Sequence, residues 1–219
     1  MTTVEENLQK IRENVAHYTP KIIAVTKYFD ESKLIEAYEA GIRDFGENRV
    51  QDAIEKINKL PKEIRESSCF HLIGHLQTNK VNKAVGFFDY IHSVDSLRLA
   101  ELINQKALEK GIVQKIFLQV NLANEEQKSG FSKEDLRRDF SAVSRLEAIK
   151  IMGLMNIAPI DWGEDDLYHL FVGVKNLQSE LKSLYGCEMD ELSMGMSRDY
   201  MIALKAGATC IRLGRILFK

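Results

Sequence analysis

Lys27 ends the stretch Lys21-Ile22-Ile23-Ala24-Val25-Thr26-Lys27, in which four consecutive apolar residues read as a strand buried on both faces of a parallel sheet. A lysine held partly out of water favours its neutral amine, the nucleophile that Schiff-base chemistry with an aldehyde requires. Equally, a lysine at a strand end can simply carry its ammonium out to solvent. Arg212 stands in a second apolar stretch, Cys210-Ile211-Arg212-Leu213. If Ile211 and Leu213 face outward, Arg212 faces the sheet's inner side, where a guanidinium needs an acceptor. That acceptor is either a structural carboxylate or a ring nitrogen or phosphate of a ligand. Asn48, two residues after Gly46, has an amide suited to a ligand oxygen or to capping a helix. His71, His75 and His92 lie on or just after strands, and none of their spacings is that of a metal-binding pair, so hydrogen-bonded core or rim roles are expected.

These residues need elements to position them. Val4, Leu8, Ile11 and Val15 recur at helical spacing and predict an amphipathic helix over 3–17, stopped by Thr19-Pro20. Strands are predicted over 21–27, 42–45, 70–73, 90–94, 115–121, 150–155, 191–194 and 209–213. Helices are predicted between them: from Asp30 to Gly41, after Asn48, a short one ending at Ala84, and one from Asp95 or Ser96 to Lys110. Further on, Ser132 with Asp135 resembles a capping box for a helix to about Ala148. Leu167, Leu170, Phe171, Val174, Leu177 and Leu181 mark a long helix ended by Gly186, and a last helix is predicted from Ser197 to Ala206. Eight strands, each but the last followed by a helix, predict a closed (β/α)8 TIM barrel, with a doubly wound open sheet as the alternative. Little sequence follows the eighth strand, so the N-terminal helix is expected to cover that part of the barrel.

In such a barrel the active face lies at the C-terminal strand ends, and phosphate sites form after strands seven and eight. Both exits carry glycine here: Ser193-Met194-Gly195-Met196-Ser197 and Gly214. Gly195 would let the backbone approach a ligand, and Ser197 could cap the following helix, whose open N–H groups favour an anion. Ordinary turn chemistry accounts for each residue singly. Together at adjacent strand ends they point to a phosphate.

At 219 residues, with 45% hydrophobic and 28% charged residues, the chain has the composition of a single globular domain. A net charge of −2 excludes the basic stripe of a nucleic-acid binder. No apolar run approaches the roughly 20 residues that span a bilayer, and residues 1–7, without a basic or an apolar region, are not expected to act as a signal peptide. Cys69, Cys187 and Cys210 are odd in number and lack metal-ligand spacing, which predicts reduced thiols in a cytoplasmic protein.

A set of motifs in order along the chain resembles one family. They are Ala24-Val25-Thr26-Lys27, Phe45-Gly46-Glu47-Asn48, His71-Leu72-Ile73-Gly74-His75-Leu76-Gln77-Thr78-Asn79-Lys80 and Ser93-Val94-Asp95-Ser96. Gln119-Val120-Asn121, Lys128-Ser129-Gly130-Phe131, Gly153-Leu154-Met155, Leu192-Ser193-Met194-Gly195-Met196-Ser197 and Arg212-Leu213-Gly214 complete it. The resemblance is to the pyridoxal 5'-phosphate (PLP) homeostasis proteins. It implies one barrel like the N-terminal domain of alanine racemase, with PLP held as a Schiff base on Lys27. It also implies that Asn48 contacts the cofactor's ring oxygen and that Arg212 faces the pyridine nitrogen. Ser193, Gly195, Met196, Ser197 and Gly214 would hold the phosphate. Arg49 departs from the aromatic residue many relatives carry there.

An arginine beside the ring leaves the pyridine nitrogen unprotonated, which makes PLP a weak electron sink. The expectation is a carrier or buffer of PLP without catalytic turnover; the resemblance implies a part in vitamin B6 and amino/keto acid homeostasis, and the single barrel domain suggests a monomer. Apo-PLP enzymes or a regulatory protein would be its partners. The alternatives are an amino-acid racemase-like enzyme using His75 or Tyr28 as second acid/base, and a regulatory protein whose PLP sets its conformation, with the 125–131 loop as a contact. A phosphate-sugar isomerase is the third, and it leaves Lys27 and Arg212 unexplained together.

Overall fold

A computed structural model describes residues 2–123 and 129–219. In chain order the elements are α1 (Thr3–Val15), β1 (Lys21–Val25), α2 (Glu31–Glu39), β2 (Asp44–Glu47), α3 (Val50–Asn58), α4 (Lys62–Glu66) and β3 (Cys69–Leu72). A 3-10 turn (Thr78–Lys80) leads into α5 (Val81–Ala84), then β4 (Tyr90–Val94), α6 (Leu97–Lys110), β5 (Gln114–Val120) and α7 (Lys133–Val143). The chain continues through β6 (Ile149–Asn156), α8 (Glu164–Tyr185), β7 (Glu191–Met196), α9 (Tyr200–Lys205), β8 (Cys210–Leu213) and α10 (Arg215–Phe218).

The eight strands form a closed parallel barrel in sequence order, sealed where β1 pairs with β8, so the open-sheet alternative is set aside. Among the described residues the ring leaves no strand edge to template aggregation. Most of the apolar core lies between the strands' outer faces and the helices, as Leu34, Ala53, Ile103, Phe140, Val174 and Leu217 show. A separate inner cluster of Ile23, Tyr90, Phe117, Met155 and Cys210 fills part of the barrel's interior. Capping follows side-chain chemistry: Thr2 and Glu5 form a reciprocal capping box on α1, while Asp30, Ser96 and Ser132 accept from the first-turn amides of α2, α6 and α7. Gly111 and Gly186 close α6 and α8 in the left-handed conformation. Asn7 on α1 donates to the carbonyls of Leu217 and Lys219, so α1 does pack beside the short α10 that follows β8.

Several boundaries differ from the sequence reading. β1 ends at Val25, which puts Lys27 in the turn beyond it. β2 begins later than 42 and runs through Gly46 and Glu47. Gly46 is no breaker there: a Cβ on it would lie 3.1 Å from both Ile23 of β1 and Ile73, the residue after β3, whose side chains close over it. α4, after Pro61, was not predicted; its five residues are too few to show a period. α7 stops at Val143, short of the expected Ala148, whose N–H donates instead to Asn104 Oδ1 at 2.8 Å. α9 starts at Tyr200, not Ser197. The polar loop expected over 125–131 lies outside the described residues up to 128, and Lys128 of the quoted motif lies outside them too. Among the described residues no helix is long and apolar enough to cross a membrane.

Candidate functional site

The C-terminal strand ends gather the turn after β1, the exit of β2, the last residue of β6, and the exits of β7 and β8. Lys27 stands half-buried in the first of these. Among the described residues no carboxylate pairs with its amine, whose one contact is the Tyr28 ring with its centroid 5.0 Å away. The turn itself is pinned from below. Thr26 is fully buried; its hydroxyl donates to Glu47 Oε1 at 2.6 Å and its N–H to the Gly46 carbonyl. Lys56, on the inward face of α3, donates at 2.6 Å to the same Glu47 oxygen and at 2.8 Å to the Thr26 carbonyl. Thus a buried ion pair clamps the residue before Lys27 on both its side chain and its carbonyl.

Asn48 is half-buried at the β2 exit and does not cap α3, whose N-cap is Arg49. Its side-chain amide has no hydrogen bond among the described residues. Its backbone is closely overlaid by Gly74, where a Cβ would come within 2.2 Å of the Asn48 carbonyl oxygen. Arg49 is exposed and pairs loosely with Asp52 at 3.7 Å.

Arg212 is 3% exposed inside the barrel. Its Nη1 donates to the Ser193 carbonyl at 2.6 Å and to Ser193 Oγ at 2.8 Å, and its Nη2 donates to the Asn156 carbonyl at 2.8 Å. No carboxylate takes part in these bonds, so the structural-carboxylate alternative fails. Burial pushes the guanidinium down to about 10, against the pull of Asp199 and Cys210, and leaves it cationic at neutral pH. Beside it, Asn156 Oδ1 is buried without a hydrogen-bond partner among the described residues, while its amide nitrogen donates to the Val120 carbonyl.

The phosphate residues fall into two groups. Ser193 does not belong with the others: it is fully buried, and its hydroxyl lies between Arg212 and His92 Nδ1, 3.0 Å away. An oxygen engaged inside the barrel cannot also hold a phosphate at the mouth. Gly195 has φ +92, and a Cβ on it would come within 2.7 Å of Ala203 Cβ, so the close approach it permits is to α9. Met196 N–H donates to Asp199 Oδ1 at 2.5 Å, a carboxyl that burial pushes up. Ser197 does not cap α9, whose N-cap is Asp199. Its Oγ instead receives the Gly214 and Ile216 N–H groups at 3.3 and 3.4 Å. Two long, weak bonds converging on one oxygen at a strand exit form a nest a phosphate oxygen could occupy. A Cβ on Gly214 would meet Val25 at an ordinary 3.5 Å, so protein packing alone does not require glycine there.

Among the histidines, His71 and His92 are core residues and His75 lies on the rim, 3.4 Å from Asp95. Burial pushes both core imidazoles below their usual value, His92 well below. At the barrel floor, Lys21 pairs with Glu191 at 3.2 Å and lies over the Tyr90 ring. All three cysteines are free thiols, and burial followed by Glu191 pushes Cys210 up to about 12.

His71 and His92 are the hydrogen-bonded core residues expected from sequence, whereas the Thr26–Glu47–Lys56 clamp and the interior place of Asp44 were not foreseen. Two signals carried them. Lys56 sits at helical spacing between Ala53 and Ile57 on an apolar face, and Asp44, His71 and His92 occupy inward positions of otherwise apolar strands.

The family described as "Alanine racemase, N-terminal domain" matches residues 1–219. A pyridoxal phosphate homeostasis protein of Synechocystis is 42% identical over 198 residues, covering 90% of each chain. One from Aquifex aeolicus is 35% identical over 220 residues, 100% of this chain and 95% of that one. The PipY structure of Synechococcus elongatus with PLP bound superposes with TM-score 0.90 at 40% identity, over 99% of this chain and 100% of that one. Alanine racemase of Clostridium difficile shares the fold, with TM-score 0.80 at 16% identity over 99% of this chain and 56% of its own. The chain belongs to the pyridoxal phosphate homeostasis proteins, a family built on the alanine racemase N-terminal domain.

Proposed function

We propose that this protein binds pyridoxal 5'-phosphate reversibly and serves intracellular PLP, vitamin B6 and amino/keto acid homeostasis as a carrier without catalytic turnover. The observation that carries the reading is Arg212, a buried cation near the mouth whose partners are neutral oxygens only. When bound, PLP supplies a reactive aldehyde and an electron-accepting ring. Lys27 provides the amine for the aldehyde, held in place by the clamped Thr26. Arg212 stays protonated beside the ring and denies its nitrogen a proton, which weakens the ring as an electron sink. Asn48 presents its unengaged amide to the ring oxygen. Ser197 and Gly214 hold the phosphate through hydroxyl and N–H groups, Met196 adds its N–H where the phosphate displaces Asp199, Gly195 shapes the turn and Ser193 acts from inside the barrel.

The racemase-like alternative needs a second acid/base opposite Lys27. Tyr28 is 82% exposed and the His75 side chain 57% exposed, and neither is enclosed in a way that would tune it for proton transfer. The carrier is a single-domain, cytoplasmic monomer in this reading, with apo-enzymes as recipients.

Absorbance of purified protein incubated with PLP tests it. A visible band that borohydride removes, with the pyridoxyl group mapped to Lys27, is expected, and Lys27→Ala should abolish it. A protein that stays colourless with added PLP overturns the reading. Racemised amino acids after incubation with the loaded protein would overturn the absence of turnover.

A further inference from the structure

A continuous polar chain crosses the barrel from floor to mouth. Asp44 Oδ1, on the first residue of β2, lies 2.9 Å from His71 Nε2. His71 Nδ1 lies 2.9 Å from His92 Nε2, His92 Nδ1 lies 3.0 Å from Ser193 Oγ, and Arg212 Nη1 lies 2.8 Å from that same oxygen. β4 and β7 are not neighbours in the ring, so the His92–Ser193 link spans the interior.

The two ends dictate one polarity. A guanidinium can only donate, so Ser193 Oγ accepts from Arg212 and its own hydrogen is available for His92 Nδ1. A carboxylate can only accept, so His71 carries its hydrogen on Nε2, facing Asp44. Both imidazoles are then neutral, each protonated at Nε2, and each link has one donor and one acceptor. The reverse tautomers would set a bare nitrogen against Asp44 and strand the Ser193 hydrogen at a fully buried position, where an unmade bond is costly. An extra proton on His71 would also reverse the middle links and strand that hydrogen. Burial opposes such a proton on either ring. The other charges acting on His71 are Lys21 and Asp89, and those acting on His92 are Lys21 and Arg212. Stacking fixes the rings as well, His71 on Tyr90 at 4.6 Å and His92 on Phe117 at 4.1 Å.

We propose that Asp44, His71, His92 and Ser193 are positioning residues for Arg212, a one-way hydrogen-bond chain anchored at the barrel floor that fixes the guanidinium's orientation toward the mouth. The assignment rests on the carrier reading for what Arg212 faces. It makes Asp44, at the opposite end of the barrel from the cofactor site, a determinant of how that site holds its ligand.

Two measurements test it. In the apo-protein, two-bond proton–nitrogen NMR correlations of isotope-labelled histidine should show His71 and His92 both protonated at Nε2 only, and an Nδ1–H on either ring overturns the chain. In the loaded protein, His92→Phe keeps the stack on Phe117 and removes both links, and Asp44→Leu removes the anchor. Each should speed PLP loss about tenfold and shift the visible band, as removal of an outer partner typically does. Asp44→Asn, which keeps an acceptor oxygen, should stay near wild type. Against an Arg212→Lys background His92→Phe should add nothing, because the chain acts through the guanidinium. Additive losses, or an unchanged band in Asp44→Leu, overturn the positioning role even if one variant folds poorly. If wild-type protein takes up no PLP, the carrier reading fails instead, and the positioning role with it, while the tautomers still report the chain itself.

Discussion

The barrel holds two buried polar assemblies that handle charge in opposite ways. Between β1, β2 and α3, Glu47 and Lys56 meet at 2.6 Å with side chains 2% and 10% exposed, so each charge is cancelled on the spot. Inside the barrel, Arg212 keeps its charge among two carbonyls and a hydroxyl, and the nearest links of its chain are neutral. A paired charge costs little once made but is costly to break, because the survivor is left uncompensated. An unpaired buried charge has been costing stability all along. The first arrangement suits a structural clamp. The second is what a site retains when the charge is wanted for a ligand.

The comparison can be broken most forcefully at Glu47. Glu47→Ala strands Lys56 and should lower the urea-unfolding free energy by about 3–5 kcal/mol. The double change Glu47→Leu with Lys56→Met should recover much of that loss, and a double variant no better than the single one would refute the pairing account. Arg212→Met should cost far less, about 1 kcal/mol or under, since relief from desolvation offsets three lost hydrogen bonds. That variant should nonetheless lose PLP uptake, and a loss of stability as large as that of Glu47→Ala would erase the contrast. The smallest effect concerns pH. His71 and His92 are held below the usual imidazole value mainly by burial, so the unfolded chain takes up protons first. Stability is therefore complete above about pH 6.5 and drains as pH falls through the unfolded value toward the folded ones. Thermal midpoints between about pH 7 and 5 should fall in wild type, and fall less in His92→Phe.

How much of this was legible beforehand depended on range. The β/α alternation announced the barrel because each strand and helix is a local pattern, and Lys27 and Arg212 stood out as charges at the edge of or within apolar stretches. The capping roles of Asp30 and Ser132 could be read from a few residues. Ser193 could not: a Ser beside Gly195 reads as phosphate chemistry, and only ring closure shows that its hydroxyl meets a histidine from a strand across the barrel. Likewise the φ of +92 at Gly195 and the close approach of Ala203 from α9 leave no mark on the local sequence. Glu47 looked like one more charged residue at a turn, since its partner lies a helix away and no local period links the two.

Asn7 carries a consequence of another kind. Its amide reaches carbonyls 210 and 212 residues further along the chain, at Leu217 and Lys219. Contacts of such long sequence separation close a loop nearly the length of the chain, so α1 is expected to dock late in folding. An interaction made that late is absent from the folding barrier and acts mainly on the rate of opening. The first helix is then a latch on the ring's lifetime, and contributes little to the speed at which the ring assembles.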